Sequence, residues 1–212
     1  MKFLLFFISL YSTYGFNLCV VGGKSGLGRE LVYQCISSNK KVLALTNNTF
    51  DIKYPYRGGG LDKKNIDKII KSNNLKVDTY DNFKKYKFDN LVFTLGAGPF
   101  KTDYSDIVTE NILNNMNNIN NKVDQIILMS AYGVGNSLKN SNIGIKVMDS
   151  IYLRDTYRAK NRQENFILDY AKKNNINTFI IRPKGLSYGA NLYSIKSRQK
   201  QAKEILEYLY LN

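Results

Sequence analysis

Gly22-Gly23-Lys24-Ser25-Gly26-Leu27-Gly28 stands between an apolar run, Phe16 to Val21, and a segment, Arg29 to Ile36, with apolar residues at helical spacing. The run reads as a buried strand and the segment as a helix. A strand, a glycine turn and a helix in that order can hold a pyrophosphate. Gly22 sits where the chain must turn sharply. Gly26 lets the backbone approach the phosphates, and Gly28 lets helix and strand pack closely. The helix start then presents free N–H groups and a partial positive charge. A glycine pattern alone is weak, and a plain turn is the competing reading. Its place between strand and helix is what gives it weight.

The end of the next apolar run, Lys41 to Thr46, is the second chemical signal. An acid there would accept the ribose hydroxyls of NAD. The chain has Thr46-Asn47 instead, so nothing repels a 2′-phosphate, and Lys24 could attract one. NADPH is therefore favoured over NADH, although no arginine follows the strand. Ser130 ends another apolar run, Gln125 to Ser130, and there faces either a ligand crevice or a helix cap. Histidine is absent. That excludes histidine triads, histidine-ligated zinc and imidazole bases. No metal site is expected.

These residues need a frame to position them. Strands are expected at 16–21, 41–46, 75–78, 88–95, 125–130 and 177–182. Helices are expected at 29–36, 61–72, 102–121, 155–173 and 194–210. Strands that alternate with helices predict a doubly wound parallel sheet with helices on both faces, a single Rossmann-type α/β domain over 16–212. The length of 212 residues suits one domain. Cys19 and Cys35 read as small core residues rather than a disulfide framework.

Five further segments carry a resemblance. They are Asp78-Thr79-Tyr80-Asp81; Phe88 to Val92 running into Gly96-Ala97-Gly98; Met129 to Gly135; Tyr157 to Glu164; and Phe179 to Leu186 with Arg182-Pro183. With the spacing of Gly22, Gly26 and Gly28 they resemble atypical short-chain dehydrogenases/reductases, the NmrA-like and biliverdin/flavin reductase-like NAD(P)H-binding group. The resemblance covers roughly residues 17 to 190. It implies that Gly22 to Gly28, Thr46, Asn47, Asp78, Thr79, Gly96, Ala97, Gly98, Ser130, Lys160 and Pro183 line the cofactor. It also implies that Ser130, Tyr132, Tyr157 and Lys160 are the catalytic candidates. The pattern breaks at two points, the end of the second strand, which has Thr46-Asn47 in place of an acid, and the catalytic tyrosine. Main-line members carry a tyrosine four residues before the lysine, where this chain has Thr156, with Tyr157 three back. Lys160 is then either a ribose-holding residue or a solvated helix lysine.

The activity implied is an NADPH-dependent reduction of a small conjugated substrate. The alternative is a non-catalytic dinucleotide sensor or assembly factor, which the missing tyrosine favours. An epimerase would need the tyrosine–lysine pair and a larger C-terminal domain. The net charge of +14 raises nucleic acid as a partner. The charge is mostly scattered lysine, 24 Lys against 7 Arg, which reads better as compositional bias. The N-terminus, Met1-Lys2 followed by apolar Phe3 to Leu10, has the layout of a secretory signal with cleavage after Gly15. Entry to the secretory pathway is expected, without a stable membrane anchor after cleavage. The alternatives are a plastid of an alga with a complex plastid, or the cytoplasm if the first strand simply begins early.

Overall fold

The computed structural model describes residues 15–24, 26–47, 72–96, 103–117, 122–138, 153–184, 186–187 and 196–211. Six strands, β1 Gly15–Val21, β2 Val42–Thr46, β3 Leu75–Thr79, β4 Lys87–Phe93, β5 Gln125–Met129 and β6 Asn177–Ile181, form one sheet. Its order is β3-β2-β1-β4-β5-β6 and every pairing is parallel. The chain winds outward from β1 in one direction, then returns to β4 and winds outward in the other. Helices α1 Gly26–Ser37, α2 Ser105–Met116, α3 Arg154–Asn174 and α4 Arg198–Leu211 cover it. This is the doubly wound Rossmann-type sheet that the sequence implies.

The two faces are visible in the strand residues. Leu18 and Val20 of β1 pack with Leu31 and Cys35 of α1 and with Ala202 and Ile205 of α4. Cys19 and Val21 point the other way, toward Ile112 and Leu113 of α2 and Ile167 of α3. A period of two sends alternate side chains to opposite faces, and both faces are covered. That is why β2 is apolar from Val42 to Leu45 and buried at every residue. Both cysteines are free and buried.

Boundaries differ from the sequence reading in instructive places. The helix expected at 102–121 starts at Ser105, with Tyr104 at the N-cap; Asp103 Oδ1, just ahead of it, accepts the Ser105 N–H at 2.8 Å. The helix expected at 194–210 starts at Arg198. Lys196 and Ser197 instead form a short strand, β8, paired with β7, Leu186–Ser187. A 3₁₀ turn at Tyr80–Lys85 was not expected. The helix expected at 61–72 lies almost wholly outside the described residues.

One ion pair ties α3 to β6. Arg182 Nε and Nη2 donate to the two oxygens of Glu164 at 2.9 and 2.7 Å. Glu164 is almost fully buried. A Cβ at Gly135 would come within 2.6 Å of Glu164 Oε2, so the turn after β5 lies directly on this pair. Breaking a buried pair leaves one charge uncompensated. Arg182→Ala is expected to lower stability by about 3 kcal/mol in urea unfolding. A change below about 0.5 kcal/mol, the usual range for surface substitutions, would refute this role.

Candidate functional site

The glycine turn is built by contact with β4 and β2. Gly22 has φ +93°, and a Cβ there would meet Thr94 Oγ1 at 2.9 Å. A Cβ on Gly28 would lie 2.3 Å from Gly22 O and 2.4 Å from Thr94 Oγ1. A Cβ on Gly23 would lie 2.8 Å from Ala44 Cβ. These three positions are walled by the protein itself. Gly26 is different. Its φ is +58°, and the nearest atoms to a Cβ there are Arg198 Nε and Cζ, at 3.8 and 3.9 Å. Among the described residues, a Cβ at Gly26, the first residue of α1, would meet only this flexible side chain, at ordinary contact distance. Leu27 turns its side chain into the core. Ser25 lies outside the described residues.

A cleft of about 310 Å³ opens beside this turn, at the C-terminal ends of the strands. Gly22, Lys24, Thr46, Asn47 and Gly96 line it, five of the residues the sequence singles out. Tyr80, Thr94, Asp103, Ser105 and Val108 line it too, and sequence reasoning missed them. Short polar residues just ahead of a helical run are a helix-start signal that points to Asp103 and Ser105. Thr46 is buried, whereas Asn47 and Lys24 are exposed. Ser105 Oγ is buried and makes no hydrogen bond among the described residues. The cleft lies where the winding direction reverses between β1 and β4, the place where ligands bind in such sheets.

Lys160 is not a solvated helix lysine. It is 4% exposed. Its Nζ donates to Leu95 O beyond β4, to Met129 O of β5 at 2.9 Å and to Gln163 Oε1 at 2.9 Å. Gln163 Nε2 donates onward to Thr109 Oγ1 at 2.8 Å, and Thr109 Oγ1 to Ser105 O at 2.7 Å. Burial pushes the Lys160 ammonium down to about 8, against the opposing pull of Asp103 and Glu164. Gly96 sits beside it; a Cβ there would be 3.5 Å from Lys160 Cε.

The other catalytic candidates gather at the same strand end. Ser130 follows β5 directly, and its Oγ is buried with no hydrogen bond among the described residues. Its N–H donates to Ile181 O at 2.8 Å. The Tyr157 hydroxyl donates to Tyr132 O at 3.0 Å, and Tyr132 N–H donates to Pro183 O at 3.0 Å. Ser130, Tyr132, Tyr157, Lys160 and Pro183 are therefore brought together around the end of β5.

Asp78 is placed otherwise. Its Oδ1 accepts from Thr79 N–H and Asn82 Nδ2, both at 2.7 Å, and its Oδ2 accepts from the Tyr86 hydroxyl at 2.5 Å. Burial works against the charge. The hydrogen bonds from Tyr86, Asn82 and Thr79, with Lys76 nearby, nevertheless hold the carboxyl below its ordinary range. Asp78 and Thr79 thus close the 3₁₀ turn, and neither lines the cleft. Ala97 and Gly98 lie outside the described residues. Among the described residues no cluster of three metal-ligating side chains occurs.

Two measurements check this construction. Gly26→Ala is expected to fold with a loss of about 1–2 kcal/mol from its left-handed backbone, because it meets no wall. Gly28→Ala, driven into Gly22 O, is expected not to fold; equal melting temperatures for the two variants would refute the packing. For Lys160, the folded-state value of about 8 lies below the ordinary 10.5. Between these values the unfolded chain binds more protons, so stability rises with pH. The cost of burying the charge is fully present below about pH 8 and is relieved above it. Urea unfolding of the parent protein is expected to gain stability from pH 7.5 to 9 relative to Lys160→Met. A parallel pair of curves would refute the buried charge.

No protein-family model matches this chain, and no curated protein matches it by sequence. Solved structures do match. ChuY, an anaerobillin reductase from Escherichia coli O157:H7, superposes with a TM-score of 0.63 at 13% identity, over 91% of this chain and 90% of that one. Serine dehydrogenase from Escherichia coli gives 0.60 at 13% identity, over 92% and 91%. The Bordetella bronchiseptica enzyme WbmH, solved in complex with NAD+, gives 0.57 at 11% identity, over 92% and 73%. The chain has the Rossmann-type fold of these proteins.

Proposed function

We propose that this protein binds a nicotinamide dinucleotide, NADP(H) before NAD(H), and reduces a small conjugated molecule. One observation carries the reading: the glycine turn at the switch point is walled at Gly22, Gly23 and Gly28, whereas at Gly26 a Cβ would meet, among the described residues, only the Arg198 side chain at ordinary contact distance. Those are the places where packing and ligand approach, respectively, require glycine. The cleft beside it and the orphaned hydroxyls of Ser105 and Ser130 fit a polar occupant.

In this reading the backbone of the turn and the first N–H groups of α1 hold the phosphates. Thr46 and Asn47 receive the adenine ribose, and Lys24 attracts a 2′-phosphate. The nicotinamide, when bound, supplies the hydride. Lys160 fixes the ends of β4 and β5 as the floor of the reacting end. Ser130 Oγ offers a hydrogen bond to substrate or ribose. The substrate-side proton comes from solvent or Tyr132, since Tyr157 already donates its own to Tyr132 O. A second reading, binding without turnover, is favoured by one observation: every ammonium proton of Lys160 has an acceptor within the chain.

Titration with NADP and NAD, beside NADPH oxidation against flavins, bilins and quinones, tests both. NADP is expected to bind about ten- to a hundredfold tighter, the worth of one charged hydrogen bond. Thr46 is buried, so the discriminating carboxylate belongs at exposed Asn47: Asn47→Asp is expected to reverse the order. Lys24→Ala should weaken NADP more than NAD. Equal affinities unaffected by Lys24→Ala would refute this placement of the phosphate. Binding without oxidation of NADPH by any acceptor would select the second reading.

A further inference from the structure

We infer that the adenine of the dinucleotide is read from α2, by the carboxamide of Asn111, in a second cavity between that helix and the 3₁₀ turn. The inference rests on the dinucleotide reading above. The cavity measures about 220 Å³, and residues of both the turn Tyr80–Lys85 and α2 line it. Tyr80 and Val108 line this cavity and also the cleft beside the glycine turn, so the two adjoin. In the cleft, Lys24, Thr46 and Asn47 are the groups for phosphate and adenine ribose. The base is joined to that ribose, and the adjoining cavity gives it a place.

The lining suits an uncharged flat ring with a polar edge. Phe83 and Ile112 line the cavity and are buried, which gives it an apolar floor. Tyr80 adds an aromatic ring, the kind of surface on which bases stack. One acid, Asp81, and one base, Lys84, line it as well, so no excess of positive charge calls for a phosphate there. Asn111 and Asn115, one turn apart on α2, complete the polar part.

The two asparagines are not equivalent. Asn115 Nδ2 donates to Asn111 O at 2.7 Å, so its donor is engaged within the helix. Asn111 is exposed, and its carboxamide makes no hydrogen bond among the described residues. It offers an acceptor and a donor side by side, the pattern that pairs with the amino group and N7 of adenine. Hypoxanthine carries an oxygen in place of that amino group and presents two acceptors on the same edge, so it cannot make the pair. Asp78, the acid that the sequence motif offers for the cofactor, lines neither the cavity nor the cleft.

The test is titration of the full chain and of Asn111→Ala with NADP, NAD and the hypoxanthine analogues of both. The parent is expected to bind the adenine forms about ten- to a hundredfold tighter than the hypoxanthine forms. In Asn111→Ala the adenine forms should fall to the affinity of the hypoxanthine forms, which should themselves stay as in the parent. The ratio of NADP to NAD should not change, because the base is common to both. Asn111 is exposed, so the variant should melt with the parent. Asn111→Gln, which keeps the carboxamide, should recover part of the preference for adenine. A parent that binds dinucleotides without preference between the bases would overturn the inference and leave the dinucleotide reading standing. So would a preference that survives Asn111→Ala, or a loss that is equal for both bases. A parent that binds none of these ligands would overturn the underlying reading and the inference with it.

Discussion

A buried ammonium ion organises half of this molecule. Removing such an ion from water costs several kcal/mol unless its protons find acceptors. Lys160 finds them on Leu95, Met129 and Gln163, so α3, the end of β4 and the end of β5 meet at one atom. Gln163 then passes the constraint through Thr109 to the Ser105 carbonyl, the start of α2. The depressed proton affinity of Lys160 records the same balance: desolvation outweighs the attraction of Asp103 and Glu164. Glu164 is itself neutralised by Arg182, which brings β6 into the network. A fold that placed any of these elements elsewhere would leave a buried charge unpaired.

The other half of the cleft is set by contact rather than charge. Gly28 lies so close to Gly22 O and Thr94 Oγ1 that no side chain fits, and Thr94 Oγ1 in turn donates to Val21 O at 2.9 Å. The first turn of α1 is thereby locked to β1 and β4. Two rigid walls, one from packing at the glycines and one from hydrogen bonding at Lys160, face each other across the strand ends. The crevice between them exists because the chain reverses its winding direction there.

Much of this is legible in the sequence, for identifiable reasons. Parallel strands buried on both faces are apolar runs, so the strands were found to within a residue or two. The glycine turn was legible because packing and backbone geometry leave little freedom at Gly22 and Gly28. Lys160 and Glu164 were marked by family resemblance, but their environment was not: nothing local says that a lysine on a polar helix will be buried by Gln163 and two strand ends. Asp78 shows the limit from the other side. Its motif suggested a ligand contact, while the structure gives its oxygens to Tyr86, Asn82 and Thr79, partners set by a 3₁₀ turn that periodicity does not reveal.

The proton side of the chemistry follows from what these constraints have used up. A main-line tyrosine would sit one full helical turn before Lys160 and share its face. Tyr157 sits one residue closer, and its hydroxyl is drawn to Tyr132 O on the turn after β5. It props that turn rather than facing a substrate. The ammonium of Lys160 is likewise spent on three carbonyl acceptors. Of the groups at this strand end, Ser130 Oγ is the one that is buried and makes no hydrogen bond among the described residues. A serine hydroxyl is too weak an acid to protonate a substrate at neutral pH, but it can orient one by donating a hydrogen bond. In the reading proposed above, the arrangement favours a substrate whose reduced form is stabilised by conjugation and can take its proton from water over an isolated carbonyl, which needs an acid in place as charge develops.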